Sequence, residues 1–134
     1  MKINAGLWID RKKAVIIFLA DKKEKKIVLD SGLDKIFQQA GKLNSANPNG
    51  RRDETPDDIK ERVFKGHLNN YYDRVISLIK GADSIYIFGP GETKNELAKR
   101  SQKEKLKGRI LKVETSDKLT DRQIAAKVRT LFIK

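Results

Sequence analysis

Residues 84–94, Ser84-Ile85-Tyr86-Ile87-Phe88-Gly89-Pro90-Gly91-Glu92-Thr93-Lys94, constrain the fold more than any other stretch. The apolar run, rich in β-branched and aromatic residues, reads as a buried strand. It stops at Gly89-Pro90-Gly91, where glycine reaches backbone angles closed to other residues and proline donates no ladder hydrogen bond. A helix is predicted to open directly afterwards, because Thr93 and Glu96 have capping-box spacing and Leu97 and Ala98 begin an apolar face. Strand, glycine turn and helix together present backbone N–H groups and the positive end of a helix dipole to an anion. Gly89, Gly91 and Lys94 are therefore candidate phosphate contacts. The spacing satisfies neither the phosphate-loop pattern nor the dinucleotide fingerprint, whose third glycine is replaced by Lys94. A purely structural reading of the same turn is that it lets the helix pack closely on the strand.

The N-terminal part predicts three strands: residues 4–10, the continuous apolar run 14–20, and residues 26–29. Arg11-Lys12-Lys13 and residues 21–25 are charged turns, too short for a parallel return, so the strands form an antiparallel meander. From about residue 31 to 54 the periodicity is lost among Gly, Asn, Pro and Arg residues, which predicts a long loop with a brief ordered piece near 33–39. Thr55 and Pro56 announce a helix carrying Ile59, Val63, Tyr71, Val75, Leu78 and Ile79 at helical period, ended by Gly81. The 84–89 strand, a second helix, a strand at 109–113 and a third helix follow, the last opened by a Thr120/Gln123 capping box. The order β-β-β-α-β-α-β-α, with right-handed crossovers, predicts an α/β fold: a ribonuclease H-like five-stranded mixed sheet with packed helices.

The 134 residues suffice for one compact domain, and they carry a formal net charge of +12. Residues 94–134 hold 13 Lys or Arg against 5 Asp or Glu, so +8 of the excess lies in the last third. A polyanion, and structured RNA in particular, is the partner such a charge predicts; a merely solvated, soluble surface is the plain alternative. Lys99 and Arg100 follow Lys94 beside the glycine turn, Arg122, Lys127 and Arg129 lie on the last helix, and Arg51 and Arg52 lie in the long loop. These are the further candidate phosphate-binding residues. The absence of cysteine removes disulfides, thiolate metal sites and cysteine nucleophiles. No apolar run approaches the roughly 18 residues a membrane span needs. The first residues show no signal-peptide pattern, so a cytoplasmic protein without a membrane contact is expected.

Ile85 to Leu97 resembles the strand-turn-helix of the middle domain of Pelota and of archaeal and eukaryotic peptide chain release factors. Asn69-Asn70-Tyr71-Tyr72 in the preceding helix and Glu114 to Gln123 near the end fit stand-alone bacterial relatives of that domain. The resemblance implies one release-factor-middle-domain-like unit over residues 1–134, associated with the ribosome in rescue, hibernation or assembly. In release factors the loop after the third strand carries Gly-Gly-Gln, which positions water for hydrolysis of peptidyl-tRNA. Here residues 43–54 hold one glycine and no glutamine. The resemblance therefore implies no catalytic residue, metal or cofactor.

Two other function classes fit parts of the sequence. A ribonuclease H-like nuclease binds two divalent metals through carboxylates on the first strand, first helix, fourth strand and last helix. Asp10 and Glu61 make two of these four places arguable, but Asp83 sits at the wrong end of the fourth strand, Asp121 lies at the cap of the last helix, and an Asp such as Asp10 is more often a turn residue than a ligand. A protein-interaction or homodimer module would use the apolar rim of the first helix or a sheet edge. His67 reads as structural or solvent-facing, and Phe64, Tyr71 and Tyr72 read mainly as core.

Overall fold

The computed structural model describes residues 2–33, 35, 56–106 and 108–132. Among them the chain runs β1 (Ile3–Ile9), β2 (Lys13–Ala20), β3 (Lys23–Asp30), α1 (Pro56–Ile79), β4 (Ser84–Gly89), α2 (Thr93–Ser101), a π-helical turn (Gln102–Leu106), β5 (Ile110–Thr115) and α3 (Asp121–Phe132). The strands form one sheet ordered β3-β2-β1-β4-β5. The pairs β1–β2 and β2–β3 are antiparallel, whereas β1–β4 and β4–β5 are parallel. This is the ribonuclease H-like mixed sheet that the element order predicts. Leu33 and Lys35 are helical; the rest of the expected long loop, with Arg51, Arg52 and the Thr55 cap, lies outside the described residues.

Period-two alternation sorts the strand side chains into two cores. Leu7, Ile9, Ile16, Ile85 and Ile87 face α1 and α2, where they meet Tyr71, Val75, Ile79 and Leu97. Trp8, Val15, Ile17, Tyr86 and Phe88 face α3 and meet Ile124, Ala125 and Val128. Both faces of the central strands are thus covered, which is why β2 reads as an unbroken apolar run. Full burial of a side chain such as Ile124 or Val128 contributes about 1.5–3 kcal/mol. The exposed ion pairs around α3 contribute little by comparison, so apolar contact is what seats this helix.

β3 begins three residues earlier than the sequence suggests. Ala20 pairs with Lys23 across a two-residue turn in which Asp21 and Lys22 have φ of 50° and 68°. That geometry is of the primed hairpin type, normally signalled by Asn-Gly or Asp-Gly. Without a glycine, the turn residues could not be told from the charged strand that follows. Lys23, Glu24, Lys25 and Lys26 are all exposed on this edge strand, a charge density that discourages pairing with another chain.

Candidate nucleic-acid interface

β1 and β4 run parallel side by side, but their chains leave in different directions, β1 into a hairpin and β4 into α2. The carboxyl ends of two such strands form the crevice where open α/β sheets commonly take ligands. Tyr71 Oη donates to the Asp10 carbonyl at 3.1 Å, and His67 Nε2 is hydrogen-bonded to the Ser31 carbonyl. These two contacts fix the β1–β2 turn and the exit of β3 against α1, and they give His67 a structural role. Burial, and the nearby Asp10 charge after it, push the Tyr71 phenol upward from its ordinary value.

The glycine turn at this crevice has two different glycines. Gly89 has φ +155°, and a Cβ placed on it would lie 2.2 Å from the Ile9 carbonyl oxygen. It is the point where β1 and β4 approach too closely for any side chain, so the structural reading applies to it directly. Its carbonyl accepts the Ser116 N–H at 3.0 Å. Gly91 has φ +64° with open space around the missing side chain, and it needs glycine for its backbone angle alone.

The helix after the turn departs from the expected capping box. Glu92 is the N-cap, makes no side-chain cap hydrogen bond, and Thr93 is already the first helical residue. Glu96 cannot reach back to the cap because its carboxylate accepts the Tyr72 phenol at 2.7 Å. Burial first, and then this bond to Glu96, raise the Tyr72 phenol above its ordinary range. By contrast the Thr120/Gln123 box forms reciprocally: Thr120 N–H to Gln123 Oε1 at 2.9 Å and Gln123 N–H to Thr120 Oγ1 at 3.2 Å.

The basic candidates are scattered by this geometry. Lys94 is 4% exposed and its ammonium donates to the Gly91 carbonyl, so it folds back onto the turn. Arg100 makes a bidentate pair with Asp73 of α1, at 2.6 and 3.0 Å. Its hydrogen bonds hold the Asp73 carboxyl below the ordinary range. Lys99 is exposed and, of these three, is the one whose charge is held by neither a carbonyl nor a carboxylate among the described residues. On α3, Arg122 is exposed, Lys127 turns towards β5 with Glu114 at 3.4 Å, and Arg129 is bidentate to Glu24 of β3 at 2.6 and 3.0 Å.

Where the sequence suggested a patch around the turn, a longer basic surface lies on the α3 side of the sheet. Lys2, Lys22, Lys23 and Arg129 border a groove beside the β2–β3 hairpin. It meets a second groove, bordered by Lys26, Asp121 and Arg122, at the shared residues Glu24 and Arg129. Three segments far apart in sequence build this surface, and no local motif announces it.

The acidic residues take up structural partners. Asp10 Oδ1 accepts the N–H groups of Lys12 and Lys13, both at 2.8 Å, which makes Asp10 a turn residue. Asp121 pairs with Lys26 at 3.3 Å and Lys13 at 3.8 Å, and Asp83 accepts the Ile3 N–H at 2.7 Å. Among the described residues no three acidic or histidine side chains converge as a metal site would need.

No family model matches the chain, and no curated protein matches it. Solved structures do. The Pelota protein of Thermoplasma acidophilum superposes on 96% of this chain with a TM-score of 0.59 at 14% identity. An archaeal translation termination factor covers 93% of it with a TM-score of 0.45 at 13% identity. The chain spans 32% of the Pelota protein's length and 37% of the termination factor's. At 14% identity the likeness to Pelota is one of fold. Among the described residues no helix is long and apolar enough to cross a membrane.

Proposed function

We propose that this chain is a translation-related binding domain that associates with the ribosome or with structured ribosomal RNA through phosphate contacts, as a relative of the Pelota-type middle domain. The observation that carries this reading is the net charge of +12 on a fold shared with Pelota. Exposed Lys99 and Arg122 are its contact residues on the described surface; Gly91 and Lys94 shape the turn beside Lys99, and Arg51 and Arg52 extend the contact from the loop. The chain's 43–54 segment has no Gly-Gly-Gln, so it binds without releasing peptide from peptidyl-tRNA.

Sedimentation of the tagged protein with ribosomal particles, at low and at moderate salt, tests the proposal. Phosphate contacts release counterions, so co-sedimentation should fall steeply as salt rises. An association that ignores salt, or none with either RNA or ribosomes, rejects it. Arg51→Ala with Arg52→Ala should weaken the association, and full binding after deletion of residues 45–52 would remove the loop from the contact.

A second reading has a specific observation in its favour: Leu111 is 60% exposed on the open β5 edge. A homodimer or protein contact there would survive high salt, because apolar burial is not screened. Light scattering at two salt concentrations separates this outcome from the RNA reading. A metal-dependent nuclease is not supported by the donor set, since Asp10 and Asp121 hold the turn and the α3 ion pairs.

A further inference from the structure

We propose that the groove between β3 and α3 seats a single strand of RNA, and that Glu24 and Asp121 act as carboxylate latches across it in the free protein. The proposal rests on the RNA-binding reading and assigns it a surface.

The groove exists because α3 is too narrow for the sheet. It covers the middle strands through Ile124 and Val128 and leaves the β3 side chains on that face open, so that Val28 is 49% exposed. Six cations border the two joined grooves, namely Lys2, Lys22, Lys23, Lys26, Arg122 and Arg129, against three carboxylates. The floor is apolar, formed by Ile17 and Ala125 at one end and Leu19 with Phe132 at the other. A duplex turns phosphates outward and would touch only the rims. A single strand fits both features, with phosphates on the cationic rims and unstacked bases on the apolar floor and the Phe132 ring.

Two of the carboxylates bridge the groove from wall to wall. Glu24 on β3 takes Arg129 of α3 in a bidentate pair, and Asp121 of α3 takes Lys26 of β3. A phosphate offers arginine the same two-oxygen geometry as a carboxylate. The side chains of these pairs are 33–50% exposed, so the pairs hold weakly. A polyanion, whose binding also releases counterions, displaces them. Carboxylate and phosphate then compete for the same cations, and removing the carboxylates should strengthen binding.

Fluorescence anisotropy with labelled oligouridine at low salt is the test, with circular dichroism to show that each variant is folded. Glu24→Gln with Asp121→Asn should tighten binding about tenfold. Glu61→Gln with Glu104→Gln makes the same change in net charge on exposed positions elsewhere, and should tighten it less than about threefold. Lys23→Gln, Lys26→Gln and Arg122→Gln together should reduce the slope of log affinity against log salt by about 2. The proposal is overturned if the latch variant binds no better than its charge-matched control. It is also overturned if the triple variant loses no more than Lys65→Gln, Lys103→Gln and Lys112→Gln together, three exposed lysines outside the groove. Either result, with the unaltered protein still binding, rejects the groove alone. Failure of the unaltered protein to bind oligouridine and ribosomal particles rejects the RNA reading and the groove with it.

Discussion

Gly6 of β1 lies directly beneath Val128 of α3: a Cβ added to Gly6 would fall 2.2 Å from Val128 Cγ2. The missing side chain is what allows α3 to settle onto the sheet and bury Ile124 and Val128 completely. Gly6→Ala should therefore destabilise the protein by about 1–3 kcal/mol, the usual range for overpacking. The β-branched Val128 cannot swing away within a helix. Val128→Ala, which makes the space, should offset part of the loss. A double-mutant cycle by denaturant unfolding checks this; additive effects would show that the two residues do not meet.

The two glycines of the β4–α2 turn should respond differently to alanine. At Gly89 the new Cβ would strike the Ile9 backbone carbonyl, which no rotamer change can relieve. Gly89→Ala should cost at least about 3 kcal/mol. At Gly91 the space is open and only the positive φ is unfavourable, so Gly91→Ala should cost about 1–2 kcal/mol. Thermal unfolding of the two variants would show the ranking.

The Glu24 and Asp73 carboxyls are held below their ordinary values of 4.5 and 3.8 by hydrogen bonds from Arg129 and Arg100. A folded-state value below the unfolded one means that each pair's stabilisation is complete above the ordinary value. It is lost as pH falls through the depressed value. Below about pH 4.5 the melting temperature of the unaltered protein should thus fall more steeply than that of Arg100→Gln with Arg129→Gln. The difference should shrink in high salt, since both pairs are exposed to solvent. Parallel curves for the two proteins across this range would contradict the assignment.

What the sequence made legible follows the reach of local physics. Short turns force the meander, apolar periods mark β2, β4 and α1, and the Thr120/Gln123 box forms because both side chains face solvent with no competing partner. The Thr93/Glu96 box does not form because Tyr72, on another helix, claims Glu96. β3 is longer than its apolar residues indicate because Asp21 and Lys22 take positive φ without a glycine. The candidate site was the least legible part. Lys94, Arg100, Lys127 and Arg129 look equivalent as charges in a string, yet each finds a carbonyl or a carboxylate set by tertiary packing. The basic groove draws on Lys2, the hairpin and both ends of α3, and only the folded chain assembles it.

Lys94 and Lys99 separate a turn-holding lysine from a phosphate-facing one. Lys94→Met keeps the length and burial of the side chain but removes its hydrogen bond to Gly91. It should lower stability by about 1 kcal/mol and leave the salt dependence of RNA binding unchanged. Lys99→Ala should leave stability nearly untouched and reduce the slope of log affinity against log salt by about 0.7–0.9. Measuring unfolding and the salt series on both variants tests the pair, and a reduced slope for Lys94→Met would restore it as a phosphate contact.

The β2–β3 turn offers a case in which stability and binding should move in opposite directions. Lys22 holds φ of 68°, a conformation that costs a residue with a side chain about 1–2 kcal/mol and glycine almost nothing. A strained backbone persists where something else depends on the residue occupying it. Lys22 borders the hairpin end of the basic groove, and its charge gives the strain a reason. Lys22→Gly should therefore raise stability by about 1 kcal/mol, since Asp-Gly suits this primed turn. It should also weaken oligouridine binding and lower its salt dependence by the equivalent of one phosphate contact, a slope change of about 0.7. Lys12→Gly, in the β1–β2 turn, removes one positive charge away from the groove and should not lower affinity as much. If Lys22→Gly gains stability and binds oligouridine with undiminished affinity, Lys22 touches no phosphate, and the hairpin end of the groove is simply exposed surface.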